Sequence, residues 1–407
     1  MRQRPRHAFS ATRSNAPATV EAFAAAAPGL EPLVCRELSA LGVTPRIENG
    51  GAAFDGSFEA VARANLWLRT ASRVIVRIAT FQARAFHELE RLARAITWER
   101  FLTSGAAVRF RVTSRKSRLY HTGAIEQRFA EAIEHRLGKA STIESASGED
   151  EDDDVSRSQL FVIRAVNDTF VVSADSSGAL LHQRGYRQAV AKAPLRETLA
   201  AAMLIASDWS AAAPLVDPFC GAGTIPIEAA LLARRMAPGL ARRFAFLSWP
   251  DFRLSIWEKV RDEAGSSALP RSPAAIRGSD RDRGAIDAAI ANADRAGVAA
   301  DIEFSVRTVS AIEPSSDAPG HVVTNPPYGV RVGEVEKLRD LYARFGQVLR
   351  AKLAGWELAM LSANSRLERE LRLPLHERLR TRNGGIAVRL LTSHVPQVTT
   401  TQASNPP

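Results

Sequence analysis

Apolar and polar positions follow two different rhythms along this chain. In the front part, "APGLEPLVCRELSALGV" has the spacing of an amphipathic helix, and the apolar run of "SRVIVRIATFQA" predicts a strand, which together make a small α+β unit from Glu21 to about Ile78. Val108, Phe110 and Val112 then alternate as a half-buried strand would. A basic turn follows, and Ile125, Phe129 and Ile133 fall on one helical stripe. "SQLFVIRAVNDTFVVSADSSG" predicts a hairpin turning at Asn167-Asp168.

After Asp175 the rhythm changes. "RETLAAAMLIASDWS" reads as an apolar helix, and "APLVDPFCGAGTIPIEAALLARRM" as a strand, a glycine loop and a helix in direct succession. "AIRGSD", "DIEFSV", "HVVTNPP" and "WELAMLSA" each predict a buried strand, with helical patterns between them. The helix 334–352 sets Leu338, Leu341, Phe345, Val348 and Leu349 on one face. Such alternation predicts a doubly wound α/β sheet. The Asn-Gly pair in "LRTRNGGIAVRLLT" predicts a closing hairpin, so the last strands should be antiparallel.

Composition narrows the partners. The chain has 407 residues, which is two or three domains' worth, with 45% hydrophobic and 24% charged residues. It holds no apolar run long enough to span a bilayer. Two cysteines, Cys35 and Cys220, are too few for a disulfide framework or zinc cluster, and with no signal-peptide pattern they point to a reducing, cytoplasmic setting. A basic arm over 1–18 and a Pro-containing tail from Val395 are expected to be disordered, and the six acids 149–154 to form a solvated loop. The net charge of +10 favours a polyanionic partner, nucleic acid first.

The candidate chemistry sits at two strand ends. In "LVDPFCGAGTIPIEAA", Asp217 closes a strand and Gly221 and Gly223 form the turn, where glycines let a ligand approach the backbone. Pro226 occupies the third glycine position of a dinucleotide fingerprint, and the Lys-Ser/Thr element of a P-loop is missing. A ligand without a pyrophosphate fits better. S-adenosylmethionine is one, its carboxylate taking loop amides at the helix N-terminus. Asp280, ending "AIRGSD", can accept from both ribose hydroxyls, although its distance from the loop far exceeds the ~20 residues usual for such a pair. The insertion from Arg234 to about Arg271 must therefore be looped out.

The second strand runs into "NPPYG". An exocyclic amine on an aromatic ring is a poor nucleophile because its lone pair is delocalised. Acceptors at the Asn325 side chain and the Pro326 carbonyl would favour tetrahedral nitrogen and stabilise its developing charge. The prolines hold those acceptors rigid, and Tyr328 offers a face for a base, worth roughly 1–3 kcal/mol per stack.

With these motifs placed, the chain resembles the class I S-adenosylmethionine-dependent methyltransferases of the Asn-Pro-Pro-Tyr type. More narrowly it is similar to the bacterial THUMP-domain enzymes acting on guanine N2 of 23S ribosomal RNA. The resemblance rests on "LLHQRGYRQAVAKAPLRETLAAAML", "DPFCGAGTIPIEAALLA", "MAPGLARRFAFLSWPDF" and "NPPYGVRVG". It implies a ferredoxin-like domain (19–82), a THUMP RNA-binding domain (83–175) and a Rossmann-like methyltransferase domain (176–394). It also implies cofactor positions at Asp217, Gly221, Gly223, Thr224 and Asp280, and catalytic ones at Asn325, Pro326 and Tyr328. Thr308 stands where the family has an acid near the adenine, so adenine N6 would lose a charged acceptor. RNA contacts are expected from Arg115, Lys116 and Arg118, and from Arg184 and Arg187, whose alternative role is packing between domains.

The expected function is methylation of a ribosomal RNA guanine at N2, by a monomer that needs no metal. Transfer RNA, adenine N6, or a noncatalytic RNA-binding role in assembly are the alternatives. One methyltransferase domain implies one reaction.

Overall fold

The computed structural model describes residues 19–138, 143–144, 158–187, 195–329 and 334–397, so the basic arm and the acidic run lie outside the described residues. The strands are β1 (Val20–Ala26), β2 (Pro45–Glu48), β3 (Gly51–Gly56), β4 (Ala71–Gln82), β5 (Val108–Arg115), β6 (Ile143–Glu144), β7 (Gln159–Val166) and β8 (Thr169–Asp175), then β9 (Leu215–Asp217), β10 (Ile276–Asp280), β11 (Ile302–Val306), β12 (His321–Thr324), β13 (Glu357–Ser362), β14 (His376–Asn383) and β15 (Ile386–His394). The α-helices are α1 (Glu31–Ala40), α2 (Phe58–Trp67), α3 (Phe86–Arg94), α4 (Thr122–Leu137), α5 (Glu197–Ala206), α6 (Thr224–Ala233), α7 (Leu254–Ser267), α8 (Arg283–Arg295), α9 (Glu334–Lys352) and α10 (Ser365–Glu370).

Two sheets result. The first eight strands form one sheet in the order β2-β3-β1-β4-β8-β7-β5-β6. Its β1-α1-β2-β3-α2-β4 portion has the ferredoxin-like order, and β4 pairs onward with β8, from Ile75↔Asp175 to Gln82↔Thr169. The sheet is therefore continuous across the domain boundary expected at residue 82. Asn167 and Asp168 make the β7–β8 turn with φ of 49° and 63°, the pair of positive values a type I′ hairpin needs.

The second sheet runs β11-β10-β9-β12-β13-β15-β14. Its first five strands are parallel and β15 runs antiparallel to both of its neighbours, β13 and β14, the doubly wound Rossmann-like arrangement with a closing hairpin. The chain builds outward from β9 to β11 and then returns to place β12 on β9's other side. β9 and β12 thus flank the switch point, where the carboxyl ends of strands leave a crevice for ligands.

The 234–271 insertion leaves the second sheet, so that β10 pairs directly with β9, and it packs elsewhere: Phe244, Phe246, Trp249 and Trp257 enter the core under the first sheet, with Trp249 edge-on to Phe58 and Phe101. The Trp249 indole donates to Gln159 Oε1 at 2.8 Å, and Arg242 donates to the carbonyls of Leu180, Gln183 and Ala179. One expectation needs correction: Val395 does not begin a disordered tail, being fully buried with its amide donating to Trp356 O at 2.8 Å.

Candidate functional site

The glycine loop leaves β9 and enters α6 within six residues, which only an unusual backbone allows. Gly221 and Gly223 sit at φ +51° and +84°, the left-handed region open to glycine. A Cβ on Gly223 would also stand 2.9 Å from that of Ala289, so the residue lets α6 and α8 close together. At Gly221 an added Cβ meets nothing within 4 Å, so the loop presents its backbone to open space.

Two carboxylates frame the loop. Asp280, at the end of β10, accepts from the amides of Gly221 (3.1 Å) and Asp282 (3.0 Å). The cap of α8 is Asp282, which accepts from Gly284 N at 2.8 Å and so leaves Asp280 to the loop. Asp217 is buried; it accepts from Phe219 N at 3.2 Å and from Thr324 Oγ1 at 2.6 Å. Burial outweighs the lowering effect of these bonds and pushes its carboxyl up to about 7, and the charge of Asp280 adds to the rise. The Thr324 bond fastens the end of β12 to the end of β9, so the glycine loop and the Asn-Pro-Pro-Tyr segment open side by side.

Beyond Thr324, Pro326 is buried and Asn325 and Tyr328 are half-buried. The Tyr328 hydroxyl donates to Asn325 Oδ1, and Tyr342 on α9 donates to the Pro327 carbonyl at 2.9 Å. Asn383 Nδ2, at the end of β14, donates to the Tyr328 oxygen at 3.2 Å. Burial pushes the Tyr328 phenol up to about 12, so it stays a hydroxyl donor at neutral pH. The sequence reading did not find Asn383, which it placed in the turn. The Asn383↔Ile386 pairing instead leaves Gly384-Gly385 as the two-residue loop, with Gly384 at φ +57°.

The remaining expected residues fall into three sets. Thr224 opens α6, but its hydroxyl accepts from Arg187 at 2.7 Å, and Thr308 lies exposed beyond β11. Arg184 and Arg187 do not face solvent as RNA contacts would. Arg184 is buried, donating to Arg69 O at 2.6 Å and lying 3.5 Å from Glu228, while Arg187 pairs with buried Glu197 at 3.3 Å. Arg184 thereby links the methyltransferase part to the front part, its alternative role, while Arg187 bonds only within the methyltransferase part, to Glu197, Thr224 and the Leu195 carbonyl. Arg115, Lys116 and Arg118 are exposed. The turn they occupy is pinned to the β7–β8 hairpin, with Asp168 Oδ1 accepting from Arg118 N at 2.7 Å and Asp168 N donating to Ser117 Oγ at 3.0 Å.

Burial also pushes the Cys220 thiol well upward, which disables it as a nucleophile. Among the described residues, no group of three acidic, histidine or cysteine side chains is arranged to hold a metal ion, and no helix is long and apolar enough to cross a membrane.

Known proteins share this architecture. Residues 184–391 match the family described as "RMKL-like, methyltransferase domain", and residues 21–75 match the "RlmL ferredoxin-like domain". The "Ribosomal RNA large subunit methyltransferase K/L" of Syntrophotalea carbinolica is 37% identical over 93% of this chain, which spans 54% of that protein. The chain thus spans about half the length of its K/L relatives. It covers 88% of the "Putative RNA methyltransferase YpsC" of Bacillus subtilis, at 35% identity over 85% of this chain. The crystal structure of "SMU.472, a putative methyltransferase complexed with SAH" superimposes with a TM-score of 0.82 at 30% identity, covering 93% of this chain and 99% of that one.

Proposed function

Because this chain belongs to the RMKL-like methyltransferase family, we propose that it is an S-adenosylmethionine-dependent RNA methyltransferase acting on the exocyclic N2 of a guanine in 23S ribosomal RNA. The observation that carries this reading is the Thr324–Asp217 bond, which sets a glycine loop with two acidic neighbours beside an Asn-Pro-Pro-Tyr segment at the switch point. The donor's sulfonium supplies an activated methyl group. The residues present fit that donor: the Gly221 backbone faces open space, and Asp280, already at the loop, can accept from ribose hydroxyls. Asp217 offers a carboxylate to the donor's ammonium.

On the acceptor side, Asn325 Oδ1 and the Pro326 carbonyl accept from the guanine amine and hold its lone pair toward the methyl. Stabilising the charge that grows on nitrogen is the main catalytic contribution of these residues. The front sheet supplies the RNA grip. Residues 83–175 are read as a THUMP domain, with Arg115, Lys116 and Arg118 holding phosphates, contacts that orient RNA without reading its sequence. The K/L names of the relatives support ribosomal over transfer RNA.

The test is to incubate the purified chain with S-adenosylmethionine and either protein-free ribosomal RNA or transfer RNA, then digest to nucleosides for mass spectrometry. New N2-methylguanosine in 23S RNA alone is the expected result. N6-methyladenosine, or product only in transfer RNA, would replace the acceptor; no product in either RNA would remove the activity.

A further inference from the structure

The Asn-Pro-Pro-Tyr segment is closed upon itself in a way its sequence does not announce. The Asn325 amide oxygen, the acceptor assigned to the substrate amine, already takes the Tyr328 hydroxyl proton. The Tyr328 oxygen in turn takes a bond from Asn383, 55 positions away on the closing hairpin. A phenol has one proton to give, and with the Asn383 amide filling its acceptor side the hydroxyl has one orientation left, toward Asn325. The strand does not need this side chain, since the Asn383 backbone is paired with Ile386 across the two-glycine turn.

We propose that Asn383 is a positioning residue that fixes the Tyr328 ring and holds its hydroxyl on Asn325 as a placeholder for the substrate amine. The inference rests on the reading of Asn325 as the amine acceptor. A base with an exocyclic N–H can replace the hydroxyl donor by donor, keeping the Asn325 oxygen paired. A base offering only a carbonyl at that edge would set two acceptors against each other and leave its own carbonyl without a donor. The segment therefore selects amino-bearing bases before any chemistry begins. Tyr328, relieved of its bond to Asn325, remains tethered through Asn383 as the face on which the base lies.

Four proteins test this: the unchanged chain, Asn383→Ala, Tyr328→Phe and the double variant. Each is measured for single-turnover methyl transfer to 23S RNA, cofactor binding by calorimetry, and unfolding in urea. Asn383→Ala is expected to slow transfer about 5-fold, the size of one net hydrogen bond, with cofactor affinity unchanged. In the Tyr328→Phe background, which lacks the hydroxyl, the same substitution is expected to change nothing further. Equal slowing in both backgrounds would overturn the proposal, placing the effect in the hairpin; so would no slowing in the unchanged background. If the unchanged chain transfers no methyl to any RNA, the proposed function falls and the urea series decides the positioning alone. Coupled stability losses would then uphold the Tyr328–Asn383 link, and additive losses would overturn it.

Discussion

At the residue scale, the site divides work between groups that hold charge and groups that hold shape. On the proposed mechanism Asn325 belongs to the first kind: Asn325→Ala would remove an acceptor from the amine, so turnover should fall about 100-fold while cofactor affinity, measured by calorimetry, stays near normal. Asp217 carries a pH signature. Its carboxyl is raised to about 7 by burial, so below that pH the neutral form dominates and has nothing to offer an ammonium. Binding of a cationic donor must then expel a proton. Cofactor affinity should rise with pH up to about 7 and level off above it, and Asp217→Asn should flatten the profile. Glu197, also raised to about 7 by burial, is paired with Arg187 and remains in both proteins, so the comparison isolates Asp217. The places of Asp217, Asp280 and Asn325 at strand ends were readable in the sequence, because each strand has its own signal and a turn follows it. Asn383 was not, since the hydrogen bond that gives it meaning crosses between elements far apart in the chain.

At the scale of elements, strand periodicity was the strongest signal, and β10, β11, β12 and β13 lie where their apolar runs placed them. What the insertion packs against was not legible, for a physical reason. Its aromatic residues carry no regular period, and a stretch without periodicity reads as loop until a partner surface is known. Here that partner is the front sheet, and the insertion becomes the joint between the two sheets. Trp249 is its centre, 2% exposed, against Phe58 and Phe101. Trp249→Ala should cost about 3–5 kcal/mol in denaturant unfolding, as buried aromatic truncations do. A near-zero loss would mean that the joint is held elsewhere. Arg184 and Arg187 teach the same lesson with charge, because "HQRGYR" looks like a phosphate grip yet both guanidinium groups face buried glutamates.

At the scale of the whole molecule, a chain of net charge +10 presents a pinned basic turn on its front sheet and, after β12 of the second, the segment proposed to hold the amine. If the turn carries phosphates, replacing Arg115 and Lys116 by Glu should lower the slope of log affinity against log salt by about 2 and weaken RNA binding, with cofactor affinity untouched. An unchanged slope would move the RNA path off that turn. The change from the front elements to βα alternation was legible, because the two rhythms differ; that the front strands form one continuous sheet was not, because β4 pairs with β8 far along the chain. How the sheets are joined was not, because that depends on residues whose partners lie on the other sheet. The central claim is that the segment ending β12 methylates a guanine amine in ribosomal RNA, and one measurement reaches it directly. Cells deleted for the gene, carrying either the unchanged gene or its Asn325→Ala form, are assayed for 23S RNA nucleosides by mass spectrometry. The account predicts loss of one N2-methylguanosine on deletion, restored by the unchanged gene and not by Asn325→Ala; restoration by both, or no change on deletion, would contradict it.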